Sequence, residues 1–168
     1  VTTSCNLACT YCDKEDLDTP GAGRKTAFDS AEQSIDLLLN ESPNHKAYNI
    51  VLFGGEPLSN MPLIRDMVAH AKPRFAALGK EGRCTLTTDV TLLTESLADC
   101  LDDHCFGLTV SMDRPRTLHD LNHKTIGGKG SYDAVAAKAR MLLSRHKARP
   151  ARARVTVTTG VHLAPSSP

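Results

Sequence analysis

Three cysteines crowd one short loop near the start of the chain, in Cys5-Asn-Leu-Ala-Cys9-Thr-Tyr-Cys12. This C-x3-C-x2-C spacing constrains the fold more than any other feature. Cysteine thiolates are soft ligands suited to iron–sulfur clusters or zinc. Three on one loop can grip three irons of a cubane cluster and leave the fourth iron open to a substrate or cofactor. Structural zinc wants four ligands, often as two separated pairs. Cys84, Cys100, Cys105 or a histidine would have to supply the fourth. Those three cysteines lie in strand or helix patterns and read as buried or incidental thiols. A disulfide scaffold is the poorer account of the six cysteines. The chain is long enough to build a core without staples, and nothing indicates secretion. A metal or redox role in a reducing, cytoplasmic compartment is expected.

The net charge is +1 over 168 residues, which gives no electrostatic argument for nucleic acid or membrane as a partner. No apolar run reaches the length of a membrane span.

Downstream of the loop, strand and helix patterns alternate. Val1 to Ser4 reads as the end of a strand entering the cysteine loop. Thr26 is a candidate N-cap, with Asp29 behind it, for a helix over Ala27 to Leu39. Phe28, Ala31, Ile35 and Leu38 lie on its inner side. Tyr48 to Phe53 reads as a buried strand stopped by Gly54-Gly55. Ser59 or Asn60 caps a helix to about Ala77, ended by Gly79. Cys84–Thr88, Phe106–Met112 and Arg154–Thr159 read as strands. Thr94–His104 reads as a helix with Leu97 and Leu101 inward. Ser131–His146 reads as another, with Val135, Ala139, Leu142 and Leu143 on one side. Residues 1–164 form one domain and 165–168 a patternless tail. Alternating strands and helices argue for an α/β fold with a parallel sheet. Without a Gly-x-Gly-x-x-Gly segment, a partial (β/α) barrel fits better than a dinucleotide fold. Such a barrel carries its chemistry on the loops after the strands. There stand the cysteine loop, Gly54–Pro57, Thr88–Asp89 and Ser111–Asp113.

The cysteine triplet with Tyr11 before its last member resembles the signature of the radical S-adenosylmethionine (SAM) superfamily. Phe53-Gly-Gly-Glu-Pro57 resembles that family's glycine-rich segment, and Leu86 to Thr94 its third-strand segment. Val110-Ser-Met-Asp-Arg-Pro115, His119-Asp-Leu-Asn122 and Gly127 to Asp133 resemble the peptide- and protein-modifying branch. That branch includes the anaerobic sulfatase maturases and commonly carries a C-terminal SPASM domain. The resemblance implies a truncated radical SAM core of roughly four β/α units and a further strand, where relatives have about six.

The resemblance further implies a [4Fe-4S] cluster on Cys5, Cys9 and Cys12, with SAM on the open iron. Reduction by a flavodoxin or ferredoxin would cleave SAM to methionine and a 5′-deoxyadenosyl radical. The radical would take a hydrogen atom from a peptide or protein substrate. Gly54 and Gly55 would let backbone approach SAM, or merely end a strand. Glu56 or nearby carbonyls would accept from the SAM ammonium, and Pro57 would stiffen the turn. Tyr11 would lie against adenine, or only shield the cluster. Thr88 belongs to the third-strand contact. Ser111 would bond the SAM carboxylate or ribose, or its own backbone. Asp113, on the same face by strand alternation, would be the polar group on the reacting side, or else a turn aspartate before Pro115. His119 orients the loop after the fourth strand. The basic run Arg140 to Arg154 could attract an acidic peptide, though a solvated helix end accounts for it more simply.

Three features depart from the family pattern. Asp89-Val90 stands where relatives have Asn-Gly, Arg114 where they have glycine, and His123 where they often have arginine. These departures support one alternative, a non-catalytic relative that keeps the fold for peptide binding or scaffolding. A zinc-stabilised domain is the other.

Overall fold

The computed structural model describes residues 1–12 and 22–157. Thr158–Thr159 of the expected last strand and the 165–168 tail lie outside the described residues.

Four strands form a parallel sheet: β2 (Ala47–Leu52), β3 (Glu81–Thr88), β4 (Gly107–Ser111) and β6 (Ala151–Arg154), in the order β2-β3-β4-β6. Helices α1 (Phe28–Glu41), α2 (Met61–Ala77), α3 (Glu95–Asp103) and α5 (Tyr132–Arg145) alternate with them. Parallel neighbours require such crossovers. A second, two-stranded antiparallel sheet pairs β1 (Leu7–Cys9) with β5 (His123–Thr125). The short α4 (Arg116–Asn122) leads into β5. The sequence pattern marks none of β1, α4 and β5, because three-residue strands and a two-turn helix are too short to show a period.

Strand alternation sorts the sheet into two faces. Leu52, Leu86, Leu108 and Val110 are buried with Ile64, Val68, Leu101, Phe106 and Leu142 in the main core. A smaller cluster joins Ile35 and Leu39 of α1 to Tyr48, Ala71 and Phe75. The other face is polar and open. Register aligns Thr87 with Thr109, Thr109 with Arg152, and Ser111 with Arg154. Val51 and Phe53 lie 55% and 66% exposed on it. The expectation of a strand buried throughout Tyr48–Phe53 is therefore corrected: burial alternates, because the described helices pack on one face only. The one-sided packing is what an opened barrel requires.

Several local expectations change. Val1–Ser4 forms no strand of the sheet; Thr2 makes an isolated bridge to Lys25. Ala27 is the N-cap of α1, with no side-chain cap, while the Thr26 N–H donates to the Val1 carbonyl. Asn60 precedes α2 without capping it, because its amide donates to the Val1 carbonyl. Leu143 is 58% exposed, and Ala136 takes the inner place beside Val135 and Leu142. The last strand begins at Ala151 and ends at Arg154. No described helix is long and apolar enough to cross a membrane.

Candidate functional site

The cysteine loop is held from two sides. In front, Thr2–Ser4 runs against the turn after β2. Gly55 N–H donates to the Thr2 carbonyl (2.8 Å) and Glu56 N–H to the Ser4 carbonyl (2.9 Å). A Cβ on Gly54 would stand 2.2 Å from the Thr2 oxygen, and one on Gly55 2.0 Å from the Ser4 oxygen. Any side chain at either position would push the loop away. Gly54 also has φ +148°, a region that favours glycine. The close approach expected of this pair is thus made to the chain's own cysteine loop.

Behind, β1 pairs with β5, matching Cys9 to His123. Thr10 bonds Asn122 twice, N–H to carbonyl and hydroxyl to side-chain oxygen, both at 2.9 Å. The His123 Nδ1 lies 3.4 Å from Cys9 Sγ. Its Nε2 is in hydrogen-bond contact with the Tyr11 hydroxyl and lies 3.2 Å from Asp113 Oδ2. The Tyr11 hydroxyl donates to the same carboxylate oxygen at 2.8 Å. Asp113 Oδ1 accepts from Thr156 N–H, and the Asp113 N–H donates to His119 Nδ1. His119 therefore carries its proton on Nε2, which faces the Ser131 hydroxyl at 3.0 Å; that hydroxyl donates to the His123 carbonyl. The His119 and His123 rings stack at 4.4 Å. Burial lowers the pKa of both below the ordinary histidine value; for His119 the neighbouring His123 lowers it further. Burial, then the bond to Asp113, pushes the Tyr11 phenol up.

Two sequence expectations are corrected here. Asp113 lies two residues past Ser111, where β4 ends, and its side chain is wholly buried, bonded to Tyr11 and Thr156 rather than open to a ligand. Glu56 is likewise buried and its carboxylate is engaged within the protein. Oε1 accepts from Leu58 N–H (2.9 Å) and the Thr88 hydroxyl (2.8 Å), and Oε2 from Asp89 N–H (2.8 Å). Burial and the nearby Asp89 charge raise its pKa to about 8. Glu56 thus stitches the end of β2 to the end of β3. Pro57 is buried at the start of a 3-10 turn, Pro57–Asn60. Thr88 donates to Glu56 and accepts from Val90 N–H.

Val90 has φ 58°, in the left-handed region, and is fully buried. The turn keeps the conformation glycine would favour although a β-branched residue occupies it. Asn6 donates to Thr91 across this turn, and Thr91 donates to Asp89. A third support thus reaches the cysteine loop from the end of β3.

The three loop thiols are half-buried and none is in a disulfide. Burial, then Cys5 and Cys12, pushes the Cys9 thiol up to about 12. The three sulfurs are therefore within electrostatic reach of one another and would need positive charge to ionise together. Among the described residues, no three His, Cys, Asp or Glu side chains gather as a single ion would require. Three thiols on one short loop are the donor set that three irons of a cluster would take, leaving a fourth iron open.

The sequence flags Asn122 and His123 only through the family resemblance and Arg154 only as part of a basic run, and gives none of them a place beside the cysteine loop. Arg152 and Arg154 are not a helix end: α5 stops at Arg145, and both arginines belong to β6. The alternation Ala-Arg-Ala-Arg in 151–154 is the one signal for this. Ser111, half-buried, and Arg154, exposed, together form a polar pair at the sheet end nearest Asp113.

The comparisons agree with this geometry. The model of the radical SAM superfamily matches residues 1–162. A cysteine-type anaerobic sulfatase-maturating enzyme of Clostridium perfringens (strain 13 / Type A) is 30% identical over 145 residues, 82% of this chain and 37% of that protein. An uncharacterised protein of Methanocaldococcus jannaschii is 30% identical over 118 residues, 67% of this chain and 36% of that one. Native anSMEcpe with bound AdoMet and Kp18Cys peptide superposes with TM-score 0.73 at 25% identity, over 91% of this chain and 40% of that chain. A histidine-tagged form of anSMEcpe with bound AdoMet gives 0.76 at 25%, with the same shares of the two chains. The chain spans less than half the length of these relatives. With the cysteine loop, the sheet and the family match in agreement, the chain belongs to the radical SAM superfamily.

Proposed function

We propose that Cys5, Cys9 and Cys12 hold a [4Fe-4S] cluster and that the open face beside them binds SAM, for reductive cleavage and modification of a peptide or protein side chain. The observation that carries this reading is the thiol triplet on a loop braced from three directions, at the strand ends where barrel chemistry sits. When bound, the cluster supplies the electron that cleaves SAM and releases the hydrogen-abstracting radical.

The chain's own residues position and shield. Gly54 and Gly55 seat the loop, and Glu56, Pro57 and Thr88 fix the wall between β2 and β3. Ser111 offers a hydroxyl and Arg154 a fixed positive fork suited to a carboxylate. The Tyr11 hydroxyl is held by Asp113. Asp113 acts from beneath, as a positioning group. The peptide class rests on the relative solved with bound peptide. A small electron-transfer protein in the cytoplasm would supply the electron.

Anaerobic loading with iron and sulfide should give about four irons per chain, lost when any of Cys5, Cys9 or Cys12 becomes alanine. Reduction with SAM should yield methionine and 5′-deoxyadenosine. Tight zinc binding without SAM cleavage in the intact protein would overturn the proposal.

A further inference from the structure

We infer that His123 is a positioning residue for the cluster ligand Cys9, donating a hydrogen bond from Nδ1 to its sulfur and so setting the reduction potential of the metal site. The inference rests on the reading of Cys5, Cys9 and Cys12 as cluster ligands.

The geometry carries it. Cys9 and His123 are register partners in the β1–β5 ladder, so backbone pairing brings the ring to the sulfur at 3.4 Å. The ring cannot turn away. Its flat face stacks on His119, its Nε2 edge meets Tyr11 and Asp113, and the residue is only 4% exposed. An iron-bound thiolate has no proton, so the hydrogen of this contact must sit on Nδ1. Nε2 is then bare, and the Tyr11 hydroxyl shares its one proton between Nε2 and Asp113 Oδ2.

Hydrogen bonds to cluster sulfurs are among the levers that set iron–sulfur potentials. A donor favours the more negative, reduced state, so losing it shifts the potential downward. A sulfur ligand held by a buried ring is also held in place, as supporting groups do for metal ligands generally.

The test compares His123→Leu with His123→Asn in the protein loaded anaerobically with iron and sulfide. The asparagine amide can stand where Nδ1 stands; leucine has no donor. The expected result is a more negative midpoint potential in His123→Leu, with an altered electron paramagnetic resonance signal of the reduced cluster. His123→Asn should hold the potential near wild type. Equal potentials in wild type and leucine variant would overturn the inference, as would equal shifts in both variants, which a purely structural role would produce. A wild-type protein that takes up no cluster would overturn the proposed function and this inference together. A leucine variant that loses its iron while the asparagine variant keeps iron and potential would support it.

Discussion

The front and back supports of the cysteine loop work by different physics. In front, Thr2–Ser4 meets Gly54–Glu56 backbone to backbone, and the contact exists because two residues have no side chains. Behind, Thr10 and Tyr11 of the loop meet a set of buried polar side chains, Asn122, His123 and Asp113. The front is a question of space and tolerates almost nothing. The back is a question of partners, and each change leaves specific atoms unsatisfied.

The largest expected effect tests the front. Gly55→Ala must displace the Ser4 carbonyl, and should destabilise by about 3 kcal/mol and abolish cluster uptake, read by thermal melting and iron content. Gly79→Ala has φ +62° but nothing within 4 Å, so it should cost only about 1 kcal/mol. Equal costs would break the claim that crowding, not conformation, governs the front.

Next comes the back. Asp113→Ala leaves the Thr156 N–H without its acceptor and takes one of two from the Tyr11 hydroxyl, and should cost about 2 kcal/mol in chemical denaturation. If it left the melting curve unmoved, the polar set would not be bracing the loop.

The end of β3 mixes both kinds of support. Val90→Ala loses buried volume and keeps a side chain at positive φ, so about 2 kcal/mol should be lost. Val90→Gly loses one further buried carbon, about 0.8 kcal/mol, but relieves strain of order 1 kcal/mol, so it should melt no lower than Val90→Ala. The reverse order would mean that Val90 is not strained.

The finest test is pH. The folded protein holds a proton on Glu56 up to about pH 8, whereas the unfolded chain releases it near the ordinary carboxylate value of 4.5. Between those values the folded state binds more protons, so the contribution of Glu56 to stability is greatest below the lower value and falls as pH rises. Glu56→Gln should flatten that slope in apo-protein melts; an unchanged slope would assign the dependence to other groups.

The two supports also differ in how far the sequence exposes them. The glycine pair and the cysteine spacing are local, and local spacing survives in one dimension. The order of the main strands follows from apolar runs for the same reason. The buried polar set does not. Tyr11 and Asp113 are 102 residues apart, and nothing in either residue's neighbourhood marks the pairing. Strand alternation carried past Ser111 makes Asp113 a polar group open to a ligand, but Tyr11 and His123 lie against it and it is buried. A lone glutamate beside two glycines reads as a ligand, and nothing near Glu56 hints that Thr88 and Asp89 will enclose it.

The pairing of β1 with β5 also fixes an order in time. The cysteine loop is made well before its back support: Asn122, the partner of Thr10, comes 112 residues later. At ordinary rates of synthesis that interval is on the order of ten seconds. Throughout it the thiols have no back wall, no His123 and no closed loop. A cluster carried by these thiols would find its loop braced from behind only after this stretch has been translated.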